Sequence, residues 1–398
     1  MTPGPSMRWD WSAAVTEREA FHRFVVGLQG RELIIAGKPG VWSWDAVNPG
    51  TAALLEIPRF EQRLRILDLG CGTGVIGAAA ATLVPSGRVT LVDCNVVAVA
   101  CAKRTVQANQ IENAEVRLGD GVEGLDRCSY DLALSHLPRG RDVQRELIRG
   151  AARILRPDGR FIFVAATRVG VKGCVAYARE VFGRCGVVRR KKAYHVAMTL
   201  RPEGMKPSPD GDHYQRRAVV LDGLDVVLIS KPGVFAWDRL DGGTERLVAA
   251  MEIGVDDRVL DLGCGTGLAG LAAARRAERG GVVLVDSDLR AVRSARRTLE
   301  ANGVGNAEVV LSDGVSMVSE DAPFDVIITN PPFHQGREID YEVARAFIHG
   351  ANQVLRPAGR LFLVANRFIG YDALIRETFG NVGVAYADSS YHVFTATA

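Results

Sequence analysis

The octet Leu67-Asp68-Leu69-Gly70-Cys71-Gly72-Thr73-Gly74 returns unchanged as Leu260-Asp261-Leu262-Gly263-Cys264-Gly265-Thr266-Gly267, 193 residues later. Without a gap the same offset aligns Lys38 to Val41 with Lys231 to Val234, Trp44-Asp45 with Trp237-Asp238, and Gly50-Thr51 with Gly243-Thr244. It also aligns Asp93 with Asp286, Asn109 with Asn302, and Asp120-Gly121 with Asp313-Gly314. Past small insertions, Leu155-Arg156-Pro157 matches Leu355-Arg356-Pro357, and Tyr194-His195-Val196 matches Tyr391-His392-Val393. The chain is a tandem duplication. At 398 residues it is too long for one ordinary core and suits two domains, expected at 1–205 and 206–398 with a Pro/Gly-rich join at Arg201 to Gly211.

Around each octet the pattern alternates strand and helix. In the second copy, strands are expected at Arg258 to Leu262, Val282 to Val285, Ala307 to Leu311, Phe324 to Thr329 and Arg360 to Val364. Helices are expected at Leu268 to Glu278, Leu289 to Asn302, Glu338 to Leu355 and Tyr371 to Phe379, with one final strand from Val382. Such a series builds an α/β fold: two tandem Rossmann-like domains, each a mostly parallel seven-stranded sheet with helices on both faces. Ligands of such sheets bind beyond the carboxyl ends of the strands.

Hydrophobic residues make up 47% and charged residues 24%, a globular mixture that excludes disordered, collagen-like and coiled-coil chains. No run approaches the length needed to span a bilayer, and Met1 to Asp10 lacks the pattern of a secretory signal, so a cytoplasmic location is expected. Seven cysteines without a C-x-x-C pair argue against a disulfide framework and a zinc knuckle, and no metal is expected. Up to Met205 there are 29 basic and 20 acidic residues; beyond it, 20 and 26. A half at +9 joined to a half at −6 suggests that the first half meets a polyanion.

In the second copy Asp261 ends a strand and is followed by Gly263, Gly265 and Gly267, a G-x-G-x-G loop opening a helix. Glycine there lets backbone approach a ligand at positive φ. Dinucleotide sites usually show G-x-G-x-x-G; the altered spacing after an acid resembles the S-adenosylmethionine loop of class I methyltransferases. Asp261 would then lie near the amino-acid end of the cofactor. Asp286, at the end of the next strand, is placed to accept from ribose hydroxyls, and Asp313, after the third, from the adenine amine. Asp68, Asp93 and Asp120 repeat the set in the first copy.

The copies part at the fourth strand. The second carries Asn330-Pro331-Pro332-Phe333, which resembles the motif of methyltransferases acting on an amine whose lone pair is delocalised into a planar system. Asn330 and the Pro331 carbonyl would accept that amine's hydrogens, the prolines would stiffen the loop, and Phe333 would stack on the base. The first copy has Ser135-His136-Leu137-Pro138-Arg139 instead, with neither the amide nor the aromatic ring. Near it, Arg141, Arg145, Arg149 and Arg153 recur every four residues, one stripe on a helix, and Arg189-Arg190-Lys191-Lys192 form a second basic cluster. Both are candidate phosphate contacts.

Together the duplication, GVFAWDRLDGGTERL at 233–247, DLGCGTG, NPPF and the YHVF tail resemble, over nearly the whole chain, the tandem-domain bacterial ribosomal RNA guanine-N2 methyltransferases, of the small-subunit methyltransferase C type or its large-subunit relative. The resemblance implies a catalytic C-terminal unit and a decayed N-terminal unit that helps hold RNA. It assigns cofactor binding to Asp261, Gly263, Gly265, Gly267, Asp286 and Asp313, catalysis to Asn330, Pro331 and Phe333, and makes Thr244 a candidate for closing over the cofactor. One departure stands out: the family's N-terminal loop is generally worn, whereas Asp68 to Gly74 is intact, which leaves room for a second S-adenosylmethionine beside the one in the C-terminal unit. The expected activity is S-adenosylmethionine-dependent methylation of the N2 amine of a guanine in ribosomal RNA, 16S before 23S, by a monomer whose internal duplication supplies a pseudo-dimeric domain pair. The alternatives are a protein glutamine N-methyltransferase, against which Phe333 and the basic first half count, and a non-catalytic ribosome-assembly factor that binds RNA.

Overall fold

The computed structural model describes residues 21–206, 213–318, 323–332 and 341–398. Among these, contacts define two units: an N-terminal unit of 21–215 together with the short segment 231–237, and a C-terminal unit of 216–230 with 238–398.

The N-terminal unit opens with a hairpin of β1 (His22–Leu28) and β2 (Arg31–Gly37), then α1 (Pro49–Leu55), β3 (Arg65–Leu69), α2 (Val75–Leu83), β4 (Arg88–Asp93), α3 (Val96–Ala108) and β5 (Ala114–Leu118). There follow β6 (Tyr130–His136), α4 (Arg141–Ile154), β7 (Leu155–Ala166), α5 (Val171–Phe182), β8 (Gly186–Lys191) and β9 (Tyr194–Leu200). The C-terminal unit repeats the plan as β10 (Gln215–Leu221), β11 (Leu224–Ser230), α6 (Gly242–Ala250), β12 (Arg258–Leu262), α7 (Leu268–Arg276), β13 (Gly281–Asp286) and α8 (Leu289–Ala301). It continues with β14 (Ala307–Leu311), β15 (Phe324–Thr329), α9 (Tyr341–Val354), β16 (Leu355–Asn366), α10 (Asp372–Phe379), β17 (Gly383–Ala387) and β18 (Tyr391–Thr397).

Each large sheet has seven strands, in the orders β5-β4-β3-β6-β7-β9-β8 and β14-β13-β12-β15-β16-β18-β17. Pairing is parallel except at β9 and β18, which run antiparallel to both of their neighbours. The order in which the chain adds strands reverses between the parallel neighbours β3 and β6, and between β12 and β15, the switch point at which such sheets bind ligands. The central strands are buried on both faces. Ile66 joins one apolar cluster and Leu67 and Leu69 the other, as the two-residue period of a strand covered by helices requires.

One sequence expectation is corrected. The tail from Val382 is a hairpin of two strands, β17 and β18. Asp388 makes the turn: its Oδ1 accepts from the N–H groups of Ser390 and Tyr391, both at 2.7 Å, a side chain closing a turn on its own backbone. The repeated asparagines also gain a reason. Asn302 accepts from Val227 N at 2.9 Å and donates to Val227 O at 2.7 Å, so a helix side chain supplies the missing ladder bonds of β11. Asn109 does the same for Ile34 of β2.

Candidate functional site

The second glycine loop is a sharp turn clamped onto β13. Gly263 N and Cys264 N both donate to Val285 O at 2.9 Å, and Gly267 N donates to Cys264 O at 2.8 Å. Gly263, Gly265 and Gly267 have φ of +80°, +53° and +81°, a region that L side chains rarely adopt. A Cβ on Gly267 would stand 2.8 Å from Ala295 Cβ, whereas one on Gly265 would meet nothing within 4 Å. The last glycine thus permits close packing of α7 on α8, and the middle one faces open space.

Asp261 lies behind this loop, 2% exposed, with Oδ2 accepting from Gly270 N in the first turn of α7 at 2.8 Å. Burial pushes its carboxyl up to about 7, the Gly270 contact opposes that, and the charge of Asp286 adds to it. Asp286 accepts from Gly265 N through Oδ2 and from Asp288 N through Oδ1, both at 2.9 Å. Burial pushes its carboxyl up to about 6 against those donors. Asp313 is half-buried in the turn after β14. Sheet order therefore arranges Asp313, Asp286, Asp261 and Asn330 side by side along one edge, across three interstrand steps or about 14 Å. An edge of acceptors suited to an amine and a diol, beside a glycine that leaves open space, fits S-adenosylmethionine.

Asn330 follows β15 directly. Its Nδ2 donates to Asp241 Oδ2 and to Thr244 Oγ1, each at 3.2 Å. Asp241 caps α6 by accepting from Thr244 N at 3.0 Å through that same Oδ2. Thr244, a candidate for closing over the cofactor, thus has its hydroxyl on the Asn330 amide. Pro331 is buried and Pro332 exposed; Phe333 lies outside the described residues. Sequence reasoning missed Asp241, although an aspartate before Gly-Gly-Thr is a helix N-cap signal.

The N-terminal unit reproduces the frame. Gly77 N donates to Asp68 Oδ2 at 2.8 Å and Gly72 N to Asp93 Oδ2 at 2.9 Å. Three details differ. Asp68, pushed up to about 7 by burial as Asp261 is, has a buried Oδ1 with no hydrogen-bond partner. Asp120, the expected adenine acceptor, is ion-paired with Lys231 of the 231–237 segment at 2.6 Å. His136 stands where Asn330 does, 2.9 Å from Thr51 Oγ1 through Nδ1, and burial lowers its pKa to about 4, so it is neutral.

The four-residue stripe does fall on one helix, α4. Arg145 lies over the Tyr177 ring at 4.8 Å, and Arg149 donates to the Tyr177 hydroxyl at 3.2 Å. A polar cavity of about 470 Å³ in this unit is lined by Arg145, Arg149, His213, Tyr214 and Trp237 among others. Arg141 is exposed and Arg153 half-buried. The second cluster divides: Arg189 and Lys191 of β8 both pair with Glu56, while Arg190 and Lys192 are exposed. None of the seven cysteines is in a disulfide. Among the described residues no group of side chains could hold a metal ion, and no helix is long and apolar enough to cross a membrane.

Comparison with known proteins identifies the family. The family described as methyltransferase small domain matches residues 32–198 and again 225–395. Ribosomal RNA small subunit methyltransferase C of Hahella chejuensis is 34% identical over 270 residues, 68% of this chain and 78% of that protein. The protein of the same name from Pseudomonas syringae pv. tomato is 32% identical over 71% of this chain and 83% of its own length. Among solved structures, a T. thermophilus 16S rRNA N2 methyltransferase in complex with AdoMet and guanosine superposes with a TM-score of 0.80 at 30% identity, covering 94% of this chain and 98% of that one. With both copies of the repeat matched and the relatives spanned over most of their length, the chain belongs to the ribosomal RNA small subunit methyltransferase C family.

Proposed function

We propose that this chain transfers a methyl group from S-adenosylmethionine to the exocyclic N2 amine of a guanine in 16S ribosomal RNA, and that the C-terminal unit does so. The observation that carries the reading is Asn330, an amide with both N–H groups engaged on α6 at the switch point, next to the acidic edge that fits the cofactor. Bound S-adenosylmethionine supplies an electrophilic methyl on a positive sulfonium.

The protein's task is to present a poor nucleophile correctly. The guanine amine shares its lone pair with the ring, so acceptors must draw its hydrogens aside. Asn330 Oδ1 and the Pro331 carbonyl fill that role, with Phe333 as the stacking platform. The target guanine is flipped out of the RNA, which costs a few kcal/mol and least for a base already unpaired. No strong base is needed, because the amine becomes acidic once methylated and its proton can leave to water. Positioning supplies the catalysis.

RNA is held by the N-terminal unit through Arg141, Arg145, Arg149 and Arg153 of α4 and through Arg189, Arg190, Lys191 and Lys192. The cavity beside Arg145 and Arg149 supports the first group; the Glu56 pairs leave Arg190 and Lys192 as the stronger members of the second. The enzyme works in the cytoplasm as a monomer carrying two copies of one fold.

The test is methyl transfer from labelled S-adenosylmethionine to undermethylated 30S subunits, 50S subunits and naked ribosomal RNA, followed by nucleoside analysis. Label should appear in N2-methylguanosine from 30S subunits or 16S RNA and fall by roughly a hundredfold or more in Asn330→Ala, the scale of losing a positioned polar group in a transition state. Label in a protein amide, or none in N2-methylguanosine, refutes the reading. Filter binding at several salt concentrations checks the RNA contacts: the Arg145→Glu/Arg149→Glu pair should weaken binding and flatten its salt dependence. An unchanged slope removes α4 from the RNA interface, and a light-scattering mass of two chains would remove the monomer.

A further inference from the structure

We propose that Asp241 and Thr244 are positioning residues that decide which way round the Asn330 amide is held. The inference rests on the amine-methylating reading above. An amide has a donor end and an acceptor end of nearly equal shape, and only the acceptor end can take a hydrogen from the guanine amine. Turned round, Asn330 would aim two N–H groups at a group that must give up hydrogens, and the site would repel its own substrate.

The surroundings remove that ambiguity. Asp241 Oδ2 and Thr244 Oγ1 each receive Asn330 Nδ2 at 3.2 Å. The Asp241 oxygen already receives the Thr244 N–H and stands as an acceptor, so the NH₂ end faces α6 and Oδ1 faces the other way. Oδ2 of Asp241 is itself fixed by Thr244 N at 3.0 Å, which ties the amide to the first turn of a helix. Close approach of these groups needs Gly243, where a Cβ would lie 3.0 Å from Asp241 Oδ2 and 3.4 Å from Asn330 Nδ2.

The other half of the chain provides an internal contrast. At the place of Asp241 the N-terminal unit has Asn48, whose Nδ2 donates to the Tyr194 hydroxyl at 2.8 Å while Oδ1 accepts from Gly50 N at 2.8 Å. Thr51 keeps its hydroxyl, now against the His136 ring. The unit without the amide is also the unit without the acid, as expected if the acid serves the amide. Helix capping alone does not explain the difference, since Asn caps as well as Asp.

Thr244→Val is the decisive variant because it keeps shape and the backbone N–H that binds Asp241, and deletes only the oxygen that receives Asn330. In methyl transfer to 30S subunits it should lower kcat about tenfold, the value of one positioned hydrogen bond, with cofactor affinity within about twofold of wild type. Thr244→Ser should recover most of that loss, and Asp241→Ala should lose more than Thr244→Val. In an Asn330→Ala background, adding Thr244→Val should change nothing further. A second readout needs no turnover: the side-chain amide resonances of Asn330, identified by their loss in Asn330→Ala, should exchange with water faster in Thr244→Val. Wild-type kcat and unchanged amide exchange in Thr244→Val overturn the proposal. A wild-type enzyme that makes no N2-methylguanosine overturns the parent reading instead, and the exchange measurement still decides the orientation.

Discussion

At the residue scale the carboxylates of the cofactor edge set the pH behaviour. Asp286 and Asp261 have pKa values near 6 and 7 in the folded chain, well above the ordinary aspartate value near 3.9. A carboxyl raised by folding makes the native state bind more protons than the unfolded one. The ligand-free protein should therefore be most stable below about pH 4 as far as these groups are concerned, and lose that contribution as pH rises through 6 to 7. With Asp286 as the proposed ribose acceptor, cofactor binding is expected to run the opposite way, since a diol donates best to an ionised carboxylate. Calorimetric titration should show S-adenosylmethionine affinity improving by about tenfold between pH 5 and 7, the equivalent of one unit of displaced pKa, with Asp286→Asn weaker and flat. A wild-type affinity independent of pH in that range would remove Asp286 from the ribose. Asp286 was legible in the sequence because its neighbours in the chain make the strand end; Asp241 was not, because its meaning depends on Asn330, 89 residues away.

At the scale of elements, the glycine loop carries two different demands. Gly267 combines φ of +81° with a Cβ position 2.8 to 2.9 Å from Ala295, so Gly267→Ala suffers both left-handed strain and overpacking, together about 2 to 4 kcal/mol. Gly265→Ala has strain without a clash, and should cost about 1 to 2 kcal/mol while projecting a methyl into the cofactor crevice. Thermal unfolding of the ligand-free variants should rank Gly267→Ala below Gly265→Ala, and cofactor titration should separate the latter from wild type. Equal melting temperatures would mean that α7 and α8 can part without penalty. Strand and helix positions around the loop were readable because strands buried on both faces leave continuous apolar runs bounded by turns. The terminal hairpin was not, because its turn is made by one aspartate side chain closing on Ser390 and Tyr391, in a stretch whose apolar pattern continues on either side.

At the scale of the whole molecule, the question raised by two intact loops is how many cofactors one chain holds. In the N-terminal unit Asp120 is held by the Lys231 ammonium at 2.6 Å, with Glu146 at 3.7 Å from the same nitrogen. Lys231 is 7% exposed, and breaking a buried pair by drawing off one partner costs about 3 to 5 kcal/mol. An adenine amine competing for Asp120 meets that penalty, so the expected stoichiometry is one S-adenosylmethionine per chain by calorimetry. Two equivalent sites in the wild-type protein would contradict this.

The sequence alone determined that the chain is one α/β unit written twice, where its glycine loops and acids stand, and that only the second copy carries Asn-Pro-Pro-Phe after its fourth strand. Those features are local: each is a strand end, a turn or a short motif whose residues are neighbours in the chain. Tertiary structure decided which way the Asn330 amide points and that Asp120 is already engaged by Lys231, 111 residues away. It also decided that two of the four basic residues at 189–192 answer to Glu56. Each of these depends on a partner distant in sequence, and a hydrogen bond or ion pair has no periodicity by which a linear pattern could announce it.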